Sequence, residues 1–292
     1  MAVVTPPTNL VVRGMTTSDI PAGQKLAAAA GWNQTASDWT VPLTLEPDGA
    51  WVCEMDGDVV GSTTAIRFGR ELAWLGLVLV SPRFRRQGIG RALVRHALAW
   101  LRQQRVDVVK LDATDLGVPL YESFGFQDEC TVERWALARH DPAPIREGTG
   151  DPTSLSMTRL DELQDLDRLA FGCGRGLLLQ QLAALPGATS ACTVNGYVLT
   201  RPGAKAAYIG PSAAEDAKAA RELIGLAIGG CAGRQIYWDV PGENEAATAL
   251  AESLGFRMLR RLRRMALRLD ERTAMPAPQY EKQFALAGFE YG

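Results

Sequence analysis

Along this chain the spacing of apolar residues switches repeatedly between strand-like and helix-like. Trp51 to Met55 and Val59 to Phe68 are strand-like runs joined by Asp56-Gly57, a dipeptide suited to the tight turn of a hairpin. After Gly69-Arg70, Glu71 to Val80 predicts a third strand, and its Leu72 to Val80 portion carries no charge, as in a strand covered on both faces. The period then lengthens: Leu93, Val94, Ala97, Leu98 and Leu101 recur as one face of an amphipathic helix. Ser18 to Ala30 predicts an earlier helix with Ser18 or Asp19 as N-cap, and Val106 to Ala113 a further strand. A similar order returns later. A helix over Asp161 to Ala170 precedes strands Ala191 to Val194 and Tyr197 to Thr200 about Asn195-Gly196, then a strand Ala206 to Ile209. A helix Ala214 to Ile228, a strand Gln235 to Val240, a helix Glu243 to Leu254 and a long arginine-rich strand from Phe256 complete the set. Elements in this order predict an α/β (α+β) fold, a central mixed sheet with helices on both faces.

The recurrence extends to the residues themselves. Shifting the chain by 130 positions lays Leu120-Tyr121-Glu122-Ser123-Phe124-Gly125-Phe126 on Leu250-Ala251-Glu252-Ser253-Leu254-Gly255-Phe256, and Arg134, Ala136 and Leu137 on Arg264, Ala266 and Leu267. Self-similarity at one fixed offset argues for duplication, and so long an offset means two domains rather than a solenoid. A chain of 292 residues can bury two cores. The expected domains are 1–140 and 154–292, with a linker at 141–153 inside the Pro- and Gly-rich stretch His140 to Thr153.

The candidate chemistry starts at Val80-Ser81-Pro82-Arg83-Phe84-Arg85-Arg86-Gln87-Gly88-Ile89-Gly90-Arg91, between the charge-free strand and the amphipathic helix. A strand, a glycine-rich loop and a helix N-terminus aim several backbone N–H groups and the positive end of a helix dipole at one spot, which suits a phosphate. The loop lacks the Lys-Ser/Thr ending of a nucleotide P-loop and the three-glycine spacing of the dinucleotide fingerprint. Its R-x-x-G-x-G after V-x-P resembles the pyrophosphate loop of the GNAT superfamily of acyl-CoA N-acyltransferases. A second resemblance follows the next strand, where Leu120-Tyr121-Glu122-Ser123-Phe124-Gly125-Phe126 is similar to the GNAT helix whose tyrosine lies beside the CoA sulfur. The wording of residues 111–122, with Ala30-Gly31-Trp32-Asn33 and the tail Phe284 to Glu290, resembles a bacterial subfamily of tandem GNAT proteins.

The resemblance implies two GNAT-like domains, each with a mixed, mostly antiparallel sheet, and acetyl-CoA as co-substrate of the first. Backbone groups of Val78, Leu79 and Val80 would bond the pantetheine arm, and Arg85, Arg86, Gln87, Gly88, Ile89, Gly90 and Arg91 would surround the pyrophosphate. An N–H near Leu79 would hold the oxyanion. Tyr121 would be the general acid toward the leaving thiolate, a task a neutral phenol suits. Thr114 stands where many members carry an asparagine that contacts the pantetheine. Trp32, Asn33, Trp39 and Trp51 fall in the segment that walls the acceptor pocket of this fold. Asp38, Glu54, Glu71 and Asp112 are carboxylates on the predicted acceptor side that could deprotonate an ammonium, and a relay through water would need none of them.

The second half departs from the pattern. Aligning Pro82 with Pro211 sets Arg85 to Gly90 against Ala214-Glu215-Asp216-Ala217-Lys218-Ala219, with both glycines gone and two acidic residues where a pyrophosphate would lie. Tyr121 aligns with Ala251, while Asn244 stands at the place of Thr114. One working half and one degenerate half is the expectation.

Composition narrows the partners. A net charge of −2 makes neither nucleic acid nor an anionic membrane a natural partner. The run Arg257 to Arg268 reads as a strand with one solvated face opposite an apolar one, ahead of a patch for an acidic partner or for the CoA 3′-phosphate. Five cysteines without a C-x-x-C pair read as reduced thiols in or near cores. His96 and His140, the two histidines, are too few for a metal site or a Ser-His-Asp or Cys-His centre, so no metal is expected. The N-terminal segment lacks a signal-peptide pattern and no long apolar run predicts a membrane span, so the cytoplasm is the expected compartment. The expectation is direct acetyl transfer to the amine of a small molecule within a ternary complex. A peptide or protein N-acetyltransferase and a non-catalytic acyl-CoA sensor are the alternatives, and a homodimer is left open.

Overall fold

The strand over Leu10–Gly14 (β1) forms one edge of the sheet and leads into helix Ile20–Ala29 (α1). The computed structural model describes residues 9–139 and 157–292, so the expected linker and His140 lie outside the described residues. Helix Ala36–Leu45 (α2) follows, then the hairpin Ala50–Met55 (β2) and Asp58–Phe68 (β3), then Leu72–Val80 (β4). Asp56 and Gly57 both take positive φ, 53° and 86°, as the predicted hairpin turn requires. Helix Ile89–Gln103 (α3), strand Val108–Ala113 (β5), the short helix Val118–Glu122 (α4) and the long strand Gln127–Leu137 (β6) end the first half.

The second half begins with helices Met157–Phe171 (α5) and Gly176–Ala183 (α6). Strands Thr189–Thr193 (β7), Gly196–Arg201 (β8) and Ala207–Ala214 (β9) precede helix Ala217–Gly230 (α7), strand Ile236–Pro241 (β10) and helix Glu245–Ser253 (α8). Strand Arg257–Arg268 (β11) and the three-residue strand Gln283–Ala285 (β12) close the order. The predicted elements are present. The additions are β1, α2, β6, α6 and β12, and β9 runs on to Ala214, so that α7 starts later than expected.

The two halves do not own separate sheets. Strand order is β1-β2-β3-β4-β5-β11-β6-β10-β9-β8-β7, with β12 on β9. The last long strands have changed places: β11 lies antiparallel between β5 and β6, and β6 lies antiparallel between β11 and β10. The apolar alternation explains the faces. On one face α3 packs Leu93, Val94, Ala97 and Leu98 over Val60, Leu75, Val109 and Leu111, and α7 does the same work in the second half with Leu223 and Ile224 over Ile209 and Val240. On the other face a single cluster joins Phe68, Leu72 and Trp74 to Leu166, Phe171, Leu178 and Tyr197 from the second half. At about 1.5–3 kcal/mol for each large side chain buried, this shared cluster binds the halves into one folding unit.

Two parallel pairs carry the functional geometry. β4 pairs with β5 only at Leu72, Ala73 and Trp74, opposite Val108, Val109 and Lys110; beyond them β4 continues to Val80 beside β3 alone. The break coincides with a bulge: Leu77 has φ 48°, the β3 register shifts between Ser62 and Thr64, and the Ser62 hydroxyl donates to the Leu77 carbonyl at 2.8 Å. The result is a V open toward the start of α3. In the second half β9 and β10 also pair over only three residues, Ala207, Tyr208 and Ile209 with Ile236, Tyr237 and Trp238.

Candidate active site at the open V of the first half

Past Val80 the chain makes a short turn over Pro82–Phe84 and enters α3 through Gly88, whose φ of 81° and lack of a Cβ let the backbone reverse sharply. The first backbone bond of α3 runs from the Ala92 N–H to the Gly88 carbonyl at 2.9 Å, so the amides just before Ala92 have no acceptor inside the helix. Gly90 abuts the far wall: a Cβ there would lie 3.4 Å from Leu120 and 3.7 Å from Val80. The loop, the end of β4 and α4 therefore meet at one place. Arg83, Arg85 and Arg86 are exposed there, and Arg85 Nε donates to the Val80 carbonyl at 3.3 Å. Arg91 is different. Its guanidinium donates to the Ser123 hydroxyl at 2.9 Å and lies over the Phe124 ring, tying α3 to α4, and Ile89 buries its side chain in the core. At Ile89 only the backbone can serve a phosphate, and at Arg91 part of the guanidinium is already spent on Ser123.

Tyr121 sits on α4 at the same junction. It is buried, edge-on to Phe126 with ring centroids 5.8 Å apart, and no described residue bonds its hydroxyl. Burial raises its pKa, which keeps the phenol protonated and able to donate. Thr114 opens the turn into α4, its carbonyl accepting from the Gly117 and Val118 amides. The face of β4 opposite α3 is covered differently beyond the bulge: Leu77 and Leu79 pack with Trp39 of α2 and Leu26 of α1, while Gly76 lies under the C-terminal tail. A Cβ at Gly76 would lie 2.5 Å from the Glu290 carbonyl oxygen, so only glycine lets the tail sit there. Trp74 Nε1 donates to the Phe289 carbonyl at 3.0 Å and Tyr291 OH to the Asp38 carbonyl at 2.7 Å.

Beside this contact is a cavity of about 10 Å³, room for one water, lined among others by Gln34, Asp38, Arg201, Tyr208 and Glu290. Gln34 Nε2 donates to Glu290 at 2.9 Å, and Arg201 reaches Glu290 and Asp38 at 3.5 and 3.4 Å. Burial and the neighbouring Asp38 push the Glu290 carboxyl up to about 7, against the pull of Arg201. Arg201 stays charged despite its own burial because both carboxylates face it.

Several expected acceptor-side residues are occupied elsewhere. The Asn33 amide donates to Ala206 O at 3.0 Å and accepts from the Lys205 and Ala206 amides at 2.8 and 3.0 Å, making it a clasp between the halves at the cavity wall. Asp38 shares its carboxylate between Arg201 and the N-terminus of α2, where it accepts from the Thr35 amide and hydroxyl. Glu54 is bound to Arg13 at 2.7 Å between β1 and β2, away from the V. Trp51 packs on the opposite face, edge-on to His96 and Trp100 of α3, and Trp39 is fully buried in the core. Trp32 packs, partly buried, against the core that holds Leu77 and Leu79. Glu71 is exposed, 3.8 Å from Arg168. Asp112 is held by two bonds from Arg264, at 2.9 and 3.0 Å. Arg264 itself is buried, so the arginine-rich strand does not present all of its cations to solvent as the sequence pattern suggests.

In the second half the corresponding V is closed. β9 and α7 are joined by Glu215 and Asp216 alone, where the first half has residues 81–88; Pro211 falls inside β9, so its alignment with Pro82 does not hold. The Asp216 side chain accepts from the Ala219 amide at 2.8 Å, occupying the helix end that an anion would use. Between β9 and β10 lies β12: Gln283 and Ala285 pair with Ala213 and Ser212, and the Leu286 amide donates to the Asp239 carbonyl at 2.8 Å. Asn244 caps α8 and spends its amide on the Tyr280 and Gln283 carbonyls, at 2.9 and 3.0 Å, pinning this plug. Glu290, Gln34 and Arg201 were not among the expected site residues. The sequence marks the tail by its wording alone, and nothing local shows that it returns to β4.

Comparison with known proteins agrees with this geometry. The acetyltransferase (GNAT) family model matches residues 23–126, and a second acetyltransferase (GNAT) domain model matches 163–280. An uncharacterized N-acetyltransferase of Bacillus subtilis is 27% identical over 238 residues, 79% of this chain and 80% of that one. Among solved structures, a Pyrococcus horikoshii protein named as a candidate acetyltransferase is similar with a TM-score of 0.85 at 23% identity, over 100% of this chain and 99% of that one. A tandem GNAT protein from the clavulanic acid biosynthesis pathway is similar with a TM-score of 0.66 at 18% identity, over 90% of this chain and 100% of that one.

Proposed function

The chain belongs to the GNAT acetyltransferase family through both halves, and from that premise we propose that it acetylates the amine of a small molecule at the first half, with acetyl-CoA as donor. The observation that carries the reading is the contrast between the two V-shaped gaps: one opens onto a glycine loop and a protonated tyrosine, the other is filled by β12 and capped by Asp216. The residues present in the first gap fit a CoA ester, because unbonded amides at the head of α3 and the exposed Arg83, Arg85 and Arg86 offer what a pyrophosphate needs. When bound, the donor supplies an acyl thioester. Backbone groups of Val78 to Val80, unpaired on the β5 side, hold an extended amide chain as an added strand would. The Tyr121 hydroxyl gives its proton to the departing sulfur. Beyond the bulge the face of β4 is covered by α1, α2 and the C-terminal tail, which supports a small amine over a protein surface.

The test is calorimetry with acetyl-CoA on the wild type and on Gly88→Glu, which puts a carboxylate and a strained φ where the phosphate belongs. One site per chain, with affinity lost at least about a hundredfold in the variant, is expected. Two sites, or binding that survives the substitution, would refute the single-site reading.

A further inference from the structure

We infer that Glu290, carried by the C-terminal tail of the second half, is the general base of the first-half centre. The inference rests on the transferase reading above and names the group that reading leaves open.

The argument is one of place. The tail crosses β4 at Gly76, next to the Leu77 bulge where β4 and β5 part, and the contact is so close that no side chain fits between. Phe289 is held there by Trp74, and Tyr291 by the carbonyl of Asp38, so Glu290 is fixed on both sides. Its carboxylate faces the cavity that Asp38 of α2 also lines, and α2 covers Leu77 and Leu79 of β4 through Trp39. The four carboxylates expected from the sequence are each engaged or remote: Asp38 as a cap, Glu54 and Asp112 on arginines, Glu71 in solvent.

The charges around Glu290 suit the task. Asp38 faces it from α2, Arg201 from β8, Arg134 from β6, Arg260 from β11, with Tyr208 of β9 and Tyr291 of the tail completing the shell. Arg134 is already bound by Asp239 at 2.7 and 2.6 Å. Arg201 must serve both Asp38 and Glu290, so its charge only partly offsets the burial of the Glu290 carboxylate beside Asp38.

The step balances as follows. The acceptor ammonium passes one proton to the Glu290 carboxylate through the single water the cavity can hold. The freed lone pair forms the C–N bond while the C–S bond breaks. The sulfur takes a proton from Tyr121, the surplus proton on the new amide nitrogen returns to the tyrosine oxygen through solvent, and Glu290 releases its own proton to solvent.

Two probe nucleophiles separate a base from a structural residue. Methylamine is protonated at pH 7 and needs a base; hydroxylamine is largely neutral and does not. In Glu290→Gln, which keeps the shape and the contact to Gln34, transfer to methylamine should fall about 10²–10⁴-fold. Transfer to hydroxylamine and the Kd for acetyl-CoA should stay within about threefold. The plateau that kcat/KM for methylamine reaches above about 7 in the wild type should give way in that variant to a rise that continues with the free-amine fraction, and should be reached at lower pH in Asp38→Asn. Equal losses with both nucleophiles, unchanged transfer to methylamine, or wild-type protein that binds acetyl-CoA yet acetylates neither would overturn the assignment. Failure to bind acetyl-CoA at all would instead strike the transferase reading itself.

Discussion

Tyr121 and Glu290, the acid and the base of the proposed reaction, come from distant parts of the sequence, and their settings are opposite too. Tyr121 is held among apolar side chains and kept neutral, and Glu290 among charges that compete for one arginine. Tyr121→Phe should lower kcat for acetyl transfer by about 10²–10⁴-fold and leave the Kd for acetyl-CoA nearly unchanged, since only the hydroxyl is removed. Glu290 also marks stability. Its folded pKa, near 7, lies above the ordinary value of 4.5, so its contribution to folding is full below about pH 4.5 and is lost as pH rises through 7. Thermal unfolding followed from pH 5 to 8 should therefore show a decline in the wild type that Glu290→Gln lacks. Tyr121 was legible because it lies inside a contiguous motif. Glu290 was not, because its chemistry comes from Asp38 and Arg201, which lie 252 and 89 positions away along the chain. Asn33 has a role its place in the sequence did not show: its amide clasps Lys205 and Ala206 of the other half at the cavity wall.

Elements with a local cause were readable in advance. The Asp56-Gly57 hairpin, the charge-free β4 and the amphipathic α3 each follow from a few neighbouring residues. α2 was hidden by Pro42 in its interior, although Thr35 and Asp38 form a capping box that announces its start. β12 had no local signal, because three residues become a strand only when β9 and β10 leave a gap to fill. Gly76→Ala tests the crossing of the tail over β4: the new methyl must displace the Glu290 carbonyl, at a cost of about 1–3 kcal/mol in denaturant unfolding. Asp216→Ala removes a cap and should cost about 1 kcal/mol. It should create no second acetyl-CoA site, since β12 still fills the slot; denaturant unfolding checks the first point and calorimetric stoichiometry the second.

At the scale of the molecule, two repeats could be read from the 130-residue offset and a family resemblance from the glycine loop and the Tyr121 motif, but the exchange of β6 and β11 could not. Strand partners are fixed by contacts between halves, and each half alone carries a complete list of elements. Residues 1–139 expressed alone leave β5 and β6 without the strand that separates them. That fragment should be unfolded or aggregated, judged by circular dichroism and size-exclusion chromatography, and co-expression with 157–292 should restore a soluble complex. No helix among the described residues is long and apolar enough to cross a membrane.

The exchanged strands have a consequence for how such a centre can change. Two identical chains trading last strands would form a symmetric pair, in which any substitution appears in both sites at once. Such a pair could not close one slot without closing the other. Joining the copies in a single chain breaks that tie: one copy can give up its own ligand, turn its tail into a wall for its neighbour, and supply a residue the neighbour never had.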